Sequence, residues 1–246
     1  MERESGVFDQ SEFNVRCEWG RAGLREVASR AQVVVIVDVL TFTTAVDVAT
    51  ARGAAVFPFP WMRPAAAYYA ASIGAVPAAR RGQGYSLSPP SLREIPAGCK
   101  LVLPSPNGAA LAFGIEHDKV LAGCLRNASA VAAEAANLGK TIAVIPAGEI
   151  WGNEGGLRPS FEDWVGAGAM IANLTGLKSP EARMAEAAFE SARGELARLM
   201  CECGSGKELI ARGYPEDVEM AAHLDVSGNV PRLVDGAFHG LNASTS

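Results

Sequence analysis

No uninterrupted apolar run in this chain approaches the ~20 residues that a membrane-spanning helix needs, although 49% of its 246 residues are hydrophobic. No membrane partner is therefore expected. Basic residues are outnumbered, 22 Lys and Arg against 27 Asp and Glu, for a net charge of −5. That balance argues against nucleic acid as a partner, which a basic surface would have to hold. Histidine is scarce, and His117, His223 and His239 are scattered. None pairs with Ser or Cys in a nucleophile motif, and there is no Gly-x-Ser-x-Gly elbow and no phosphate loop ending in Gly-Lys-Ser/Thr, which disfavours serine-esterase chemistry and nucleotide hydrolysis. The five cysteines are odd in number and irregularly spaced, so a disulfide framework is not expected. Cys201-Glu202-Cys203 lacks a second Cys/His pair to complete a four-ligand metal site and reads as two thiols at a helix end. Met1 to Gly20 is charged and polar, with no apolar signal-peptide core. The expected location is cytoplasmic.

What is present is an alternation of strand and helix signals. Residues 33–40 form a continuous β-branched apolar run ending near Asp38, as for a strand covered on both faces. A helix is predicted over 41–52, a strand over 54–59 and an Ala-rich helix over 63–73. A loop follows from Arg80 to Pro90. Strands at 100–103, 120–123 and 141–145 alternate with helices at 109–115, 128–138 and 161–173. Asn127 is placed to cap the 128–138 helix. Ser179-Pro180-Glu181 opens a helix that is read through to Cys203. Ser205 and Glu208 have capping-box spacing for the next helix, and Pro215 starts another. Asp225 to Pro231 reads as a loop, followed by a short terminal segment and a tail from Gly240. The pattern predicts one α/β domain with a mostly parallel sheet covered on both faces. Ligands of such sheets bind outside the carboxyl ends of the strands.

The polar residues after those strands are therefore the candidates. Asp38, in an apolar strand, needs a strong partner to be buried: a metal, an arginine, or the N–H groups of the following helix. Thr43 and Thr44 open that helix, where free N–H groups suit a phosphate; packing of the first turn is the rival reading. Asn107-Gly108 is a common turn dipeptide, but after the stiff Pro104-Ser105-Pro106 it also suits a ligand-orienting amide. Glu162 and Asp163 stand in a first helical turn, where acidic residues are favoured by the helix dipole. One cap needs one carboxylate, and magnesium uses one or two with waters and substrate phosphate. Neighbouring helical side chains diverge by ~100°, so one could bind metal while the other caps. Arg126, Asn127, Glu149 and Asn153 complete the set.

Taken together these segments resemble the 2-phosphosulfolactate phosphatase family of the coenzyme M biosynthesis type. The matching pieces occur in family order: Val35-Ile36-Val37-Asp38-Val39-Leu40 with Thr43-Thr44, Ser88-Pro89, Pro106-Asn107-Gly108, Asn127-Ala128-Ser129-Ala130-Val131, Ala147-Gly148, and Glu162-Asp163 with Gly166-Ala167-Gly168. The Asp225 to Pro231 segment also fits. The resemblance implies a three-layer α/β/α fold with intertwined halves, leaves a homodimer open, and implies a Mg²⁺-dependent phosphatase acting on a small anionic phosphorylated substrate. Asp38, Glu162 and Asp163 would be catalytic and metal-holding, with Thr43, Thr44, Asn107, Gly108, Asn127 and Arg81 binding substrate. Glu149 and Glu154 are candidate general acids. The chain departs from the family at Thr41, at Ser105-Pro106 and at Ala109-Ala110, where arginine and threonine are usual. Arg80, Arg81 and Arg158 are the guanidiniums available to replace them. A non-catalytic anion- or protein-binding member, and a hydrolase of another substrate, are the rival readings.

Overall fold

The computed structural model describes residues 6–60, 63–152 and 155–241. Its main sheet has nine strands. In chain order these are β1 (Val15–Cys17), β2 (Val33–Val37), β3 (Ala55–Phe59), β4 (Val76–Pro77), β5 (Lys100–Pro104), β6 (Val120–Gly123) and β7 (Ile142–Pro146), then β10 (Val230–Val234) and β11 (Ala237–Leu241). A separate two-stranded ribbon, β8 (Glu149–Ile150) and β9 (Leu157–Arg158), follows β7. The helices are α1 (Gly20–Val27), α2 (Phe42–Ala51), α3 (Arg63–Ser72), α4 (Gly108–Ala112), α5 (Ala128–Leu138), α6 (Phe161–Ala172), α7 (Pro180–Ala192), α8 (Leu196–Glu202), α9 (Gly204–Ala211) and α10 (Pro215–Ala222).

The sheet order is β1-β7-β2-β6-β10-β11-β3-β5-β4. Strands β1, β7, β2 and β6 form one parallel block, and β3, β5 and β4 form a second. The β10–β11 hairpin lies between them, antiparallel to β6 on one side and to β3 on the other. The period-2 geometry of a strand explains the uniformly apolar β2. Val33, Val35 and Val37 pack with α5, α6 and α7, while Val34 and Ile36 pack with α1, α2 and α4. Across β5, Leu101 and Leu103 join the α2 side, and Val102 meets Ala66 and Ala70 of α3. The result is helix, sheet, helix, as the alternation predicts.

Several expectations need correction. The charged opening segment contains a strand, with Val15 and Cys17 buried in β1, and α1 follows it from Gly20 with Leu24 and Val27 buried. The short apolar stripe of α1 is masked by its arginines. The helix expected over 180–203 is broken by a 3₁₀ turn at Arg193–Glu195, where Gly194 lowers helix propensity. Asn127 does not cap α5. Its side chain accepts from Cys124 N at 2.9 Å and donates to Asn229 O at 3.1 Å, and Asp225 Oδ1 takes Ser129 N at 2.8 Å instead. Ser205 does not cap α9, whose N-cap is Cys203, with Sγ accepting from Gly206 N at 3.3 Å. The terminal segment is the β10–β11 hairpin, turned by Asp235 and Gly236 at φ +50° and +80°, the left-handed pair that a two-residue hairpin loop requires. Among the described residues no helix is long and apolar enough to cross a membrane.

Candidate active site

The carboxyl ends of β2, β5 and β7 converge. Asp38 follows β2 and is 3% exposed. Its Oδ2 accepts from Gly108 N at 2.7 Å and from Ser105 Oγ at 3.3 Å, and its Oδ1 accepts from Phe42 N at 3.3 Å. One carboxylate thus ties the loop after β2 to the loop after β5. Gly108 is required there, because a Cβ would lie 2.7 Å from Asp38 Oδ2 and 2.6 Å from the Phe42 ring. Thr43 Oγ donates to Asp38 O at 2.8 Å and accepts from Asp38 N at 3.0 Å. Thr44 Oγ donates to Val39 O at 2.8 Å. Both threonines are fully buried, and the first N–H groups of α2 go to Asp38 itself. In this arrangement the two hydroxyls and the N–H groups of Phe42 and Thr43 brace the loop after β2.

The acidic pair on α6 diverges as helical geometry demands. Asp163 Oδ1 accepts from Val39 N at 2.7 Å and Oδ2 accepts from Gly148 N at 2.9 Å, so this side chain clasps the loops after β2 and β7. Burial, then the charges of Asp38 and Glu162, push its pKa upward. Glu162, 1% exposed, receives the Cys203 thiol at 3.5 Å. Among the described residues no group of three or more His, Cys, Asp or Glu side chains is arranged to hold a metal. Asp38, Glu162 and Asp163 are thus not gathered as a three-ligand group in this arrangement.

A cavity of about 440 Å³ opens at these strand ends. Its acidic lining includes Asp38 and Glu149, beside Ser105 and Asn107. Asn107 Nδ2 donates to Glu149 Oε2 at 2.8 Å. Burial pushes Asp38 up to about 6, against the pull of the Gly108 and Phe42 N–H groups and with the help of Glu162. Burial, then the charge of Asp38, pushes Glu149 up to about 7. Arg80, Arg81 and Arg212 supply the basic lining. Arg81 donates to the buried Asp217 carboxylate and, at 2.8 Å, to Thr41 Oγ, and it lies 5.4 Å from the Tyr214 ring centre. Ser88 Oγ also donates to Asp217, which ties the 80–90 loop to α10. Thr41 stands where the resemblance expects arginine; the guanidinium at its hydroxyl is that of Arg81.

Thr43, Thr44, Gly108, Asn127, Glu162 and Asp163 do not line this cavity, whereas Asp38, Arg81 and Asn107 do. Arg158 lies outside it and donates to Ser205 Oγ at 3.0 Å. Asn153 and Glu154 fall outside the described residues. Sequence reasoning missed Arg212, Tyr214 and Asp217. Their one visible cue was the acidic pair Glu216-Asp217 after Pro215, which reads as an ordinary first helical turn.

The sequence model of the family described as 2-phosphosulpholactate phosphatase matches residues 22–236. A probable 2-phosphosulfolactate phosphatase of Carboxydothermus hydrogenoformans is 30% identical over 208 residues, 80% of this chain and 84% of that one. One of Thermotoga petrophila is 30% identical over 164 residues, 65% of this chain and 69% of that one. The 2-phosphosulfolactate phosphatase of Methanothermobacter thermautotrophicus is 32% identical over 139 residues, 56% of this chain and 58% of that one. With the family match running from α1 to the hairpin turn, across every loop that builds the cavity, this chain belongs to the 2-phosphosulfolactate phosphatase family.

Proposed function

We propose that this chain is a cytoplasmic phosphoric monoester hydrolase that cleaves the phosphate of a small phosphorylated hydroxy acid such as 2-phosphosulfolactate, with Mg²⁺ as cofactor. The observation that carries the reading is the two-signed cavity, with Asp38 and Glu149 in the same lining as Arg80, Arg81 and Arg212. A phosphoryl group needs cationic partners for its oxygens and a proton for its leaving group.

The donor set fits a magnesium ion. Asp38 is shifted toward the protonated form by burial and the charge of Glu162, so a cation beside it would relieve that strain. Magnesium binds through as few as one carboxylate, with waters and substrate oxygens. Asp38 is the residue that would hold it, with Glu162 adding charge from behind. When bound, the ion would neutralise phosphoryl oxygens and favour attack by water.

The chain's own residues do the rest. Arg81, fixed by Asp217 and Thr41, holds phosphoryl oxygens in a planar, directed grip. Asn107 holds Glu149 by Oε2, leaving Oε1 to carry a proton. An acid of about 7 is well matched to donation near neutral pH. Water forms the new P–O bond, the ester P–O bond breaks, the Glu149 proton goes to the departing alkoxide, and the proton shed by the attacking water passes through solvent to restore Glu149.

The test is phosphate release from 2-phosphosulfolactate, 2-phospholactate and isopropyl phosphate, with and without Mg²⁺. Metal-dependent turnover is expected, and it should fall by about a thousandfold in Asp38→Asn. Absence of turnover on every ester would defeat the phosphatase reading; metal-independent turnover would defeat its magnesium part.

A further inference from the structure

Arg212 takes part in no element of the reaction described above, yet it lines the same cavity as Arg81. It follows α9 directly, and among the described residues it pairs with Glu208 at 3.0 Å. Both members of that pair are more than half exposed, and such a helical pair contributes only a few tenths of a kcal/mol. The guanidinium is therefore cheaply redirected. Arg81 is the opposite case. Its side chain is 14% exposed and is held by Asp217, Thr41 and the Tyr214 ring. The two cations act on each other: after burial, Arg212 is the largest influence lowering Arg81, to about 10. Like charges brought into one concave site disfavour each other unless an anion joins them.

The phosphoryl group needs to sit near Asp38, and Thr41, three residues on, fixes Arg81 at that end of the cavity. Arg212 enters from α9, an element with no contact to the Asp38 loop among the hydrogen bonds described above. A substrate bearing one anion would occupy Arg81 and leave Arg212 on its exposed partner Glu208. A substrate bearing a second anion would engage both.

We propose that Arg212, beside Arg81, is the specificity-determining residue that binds the non-transferred anionic group of the substrate, a carboxylate or sulfonate. The assignment rests on the phosphatase reading, and it makes a doubly anionic phosphomonoester preferred over a singly anionic one.

The test compares four esters: 2-phosphosulfolactate, 2-phospholactate, 2-phosphooxyethanesulfonate and isopropyl phosphate. They carry both extra anions, the carboxylate, the sulfonate and neither. In Arg212→Gln the KM for esters with an extra anion should rise roughly tenfold, with a rise below about threefold for isopropyl phosphate. Arg212→Lys should recover part of the loss, since it keeps charge without the planar fork. The ester most affected identifies which anion Arg212 meets. Arg198→Gln, on the exposed face of α8, is the control. Equal KM changes on all four esters, or none, would overturn the assignment. Calorimetric binding of 3-sulfolactate, which lacks phosphate, separates the two readings. If no ester is hydrolysed by the unaltered protein, the phosphatase reading fails. The subsite then stands or falls on whether Arg212→Gln weakens 3-sulfolactate binding about tenfold.

Discussion

A carboxylate whose two oxygens both accept backbone N–H groups acts as a fastener, and Asp163 is one, joining Val39 after β2 to Gly148 after β7. Its removal strands two buried donors at about 1–3 kcal/mol each. Asp163→Ala should therefore lower stability by roughly 2–5 kcal/mol in a urea titration, and Asp163→Asn, which keeps one acceptor, by about half as much. A loss below about 1 kcal/mol would show that the clasp is not required. At this scale the sequence was readable in part. Asp38 stood out because a carboxylate ending an apolar strand demands a partner. Glu162 and Asp163 were readable as a pair but not as individuals. Adjacent helical positions send one to the backbone and the other to Cys203, and no one-dimensional pattern tells which. Glu149 was one of two candidate acids, and its bond to Asn107 and its place in the cavity are what the sequence did not show; Glu154 lies outside the described residues.

The element of consequence is the β8–β9 ribbon, which carries Glu149. Across its short ladder Glu149 pairs with Arg158. Arg158 in turn lies over the Trp151 ring at 5.7 Å and donates to Ser205 Oγ at 3.0 Å at the start of α9. That bond latches the ribbon to the helix layer that also delivers Arg212. Ser205→Ala removes the latch and leaves Glu149 chemically intact. We expect kcat to fall about tenfold through misplacement of the acid, with cleavage in the ribbon by a trace protease accelerated and Tm nearly unchanged. An unchanged kcat would show that the ribbon is held without Ser205. Element boundaries in the parallel blocks were largely legible, because apolar runs and Ala-rich helices alternate cleanly. The hairpin was not. Asp235-Gly236 is a strong turn signal, but Arg232, His239 and Gly240 dilute the strand pattern around it, since that strand pair only fills a gap between two blocks.

For the whole molecule the relevant quantity is the charge enclosed at the strand ends. Asp38 and Glu149 are raised to about 6 and 7, and Asp47 and Asp163 are raised as well; unfolded carboxylates titrate near 4. Between those values the folded protein holds more protons than the unfolded chain, so stability falls as pH rises through the window from about 4 to 7. For Asp38 and Glu149 the penalty has developed almost fully once pH exceeds about 7. For Asp38 alone it is on the order of 3 kcal/mol. The metal-free protein should melt several degrees higher at pH 5 than at pH 8, and added Mg²⁺ should narrow the difference by stabilising the pH 8 sample more. A melting temperature that instead rises from pH 5 to pH 8 would show that the carboxylates carry no such strain. The sequence gives net charge but not enclosure, and this dependence was invisible before the strand ends were brought together.

The position of the β10–β11 hairpin also orders events during synthesis. Both parallel blocks are complete once β7 has been made, yet β6 and β3 each keep one unpaired edge until residues 230–241 arrive. A nascent chain lacking the hairpin holds two apolar strand edges open, the state most prone to pair with a neighbouring chain. The final hairpin thus works as a closing seam. The interval before it, spanning synthesis of α6 to α10, leaves both of those edges unpaired.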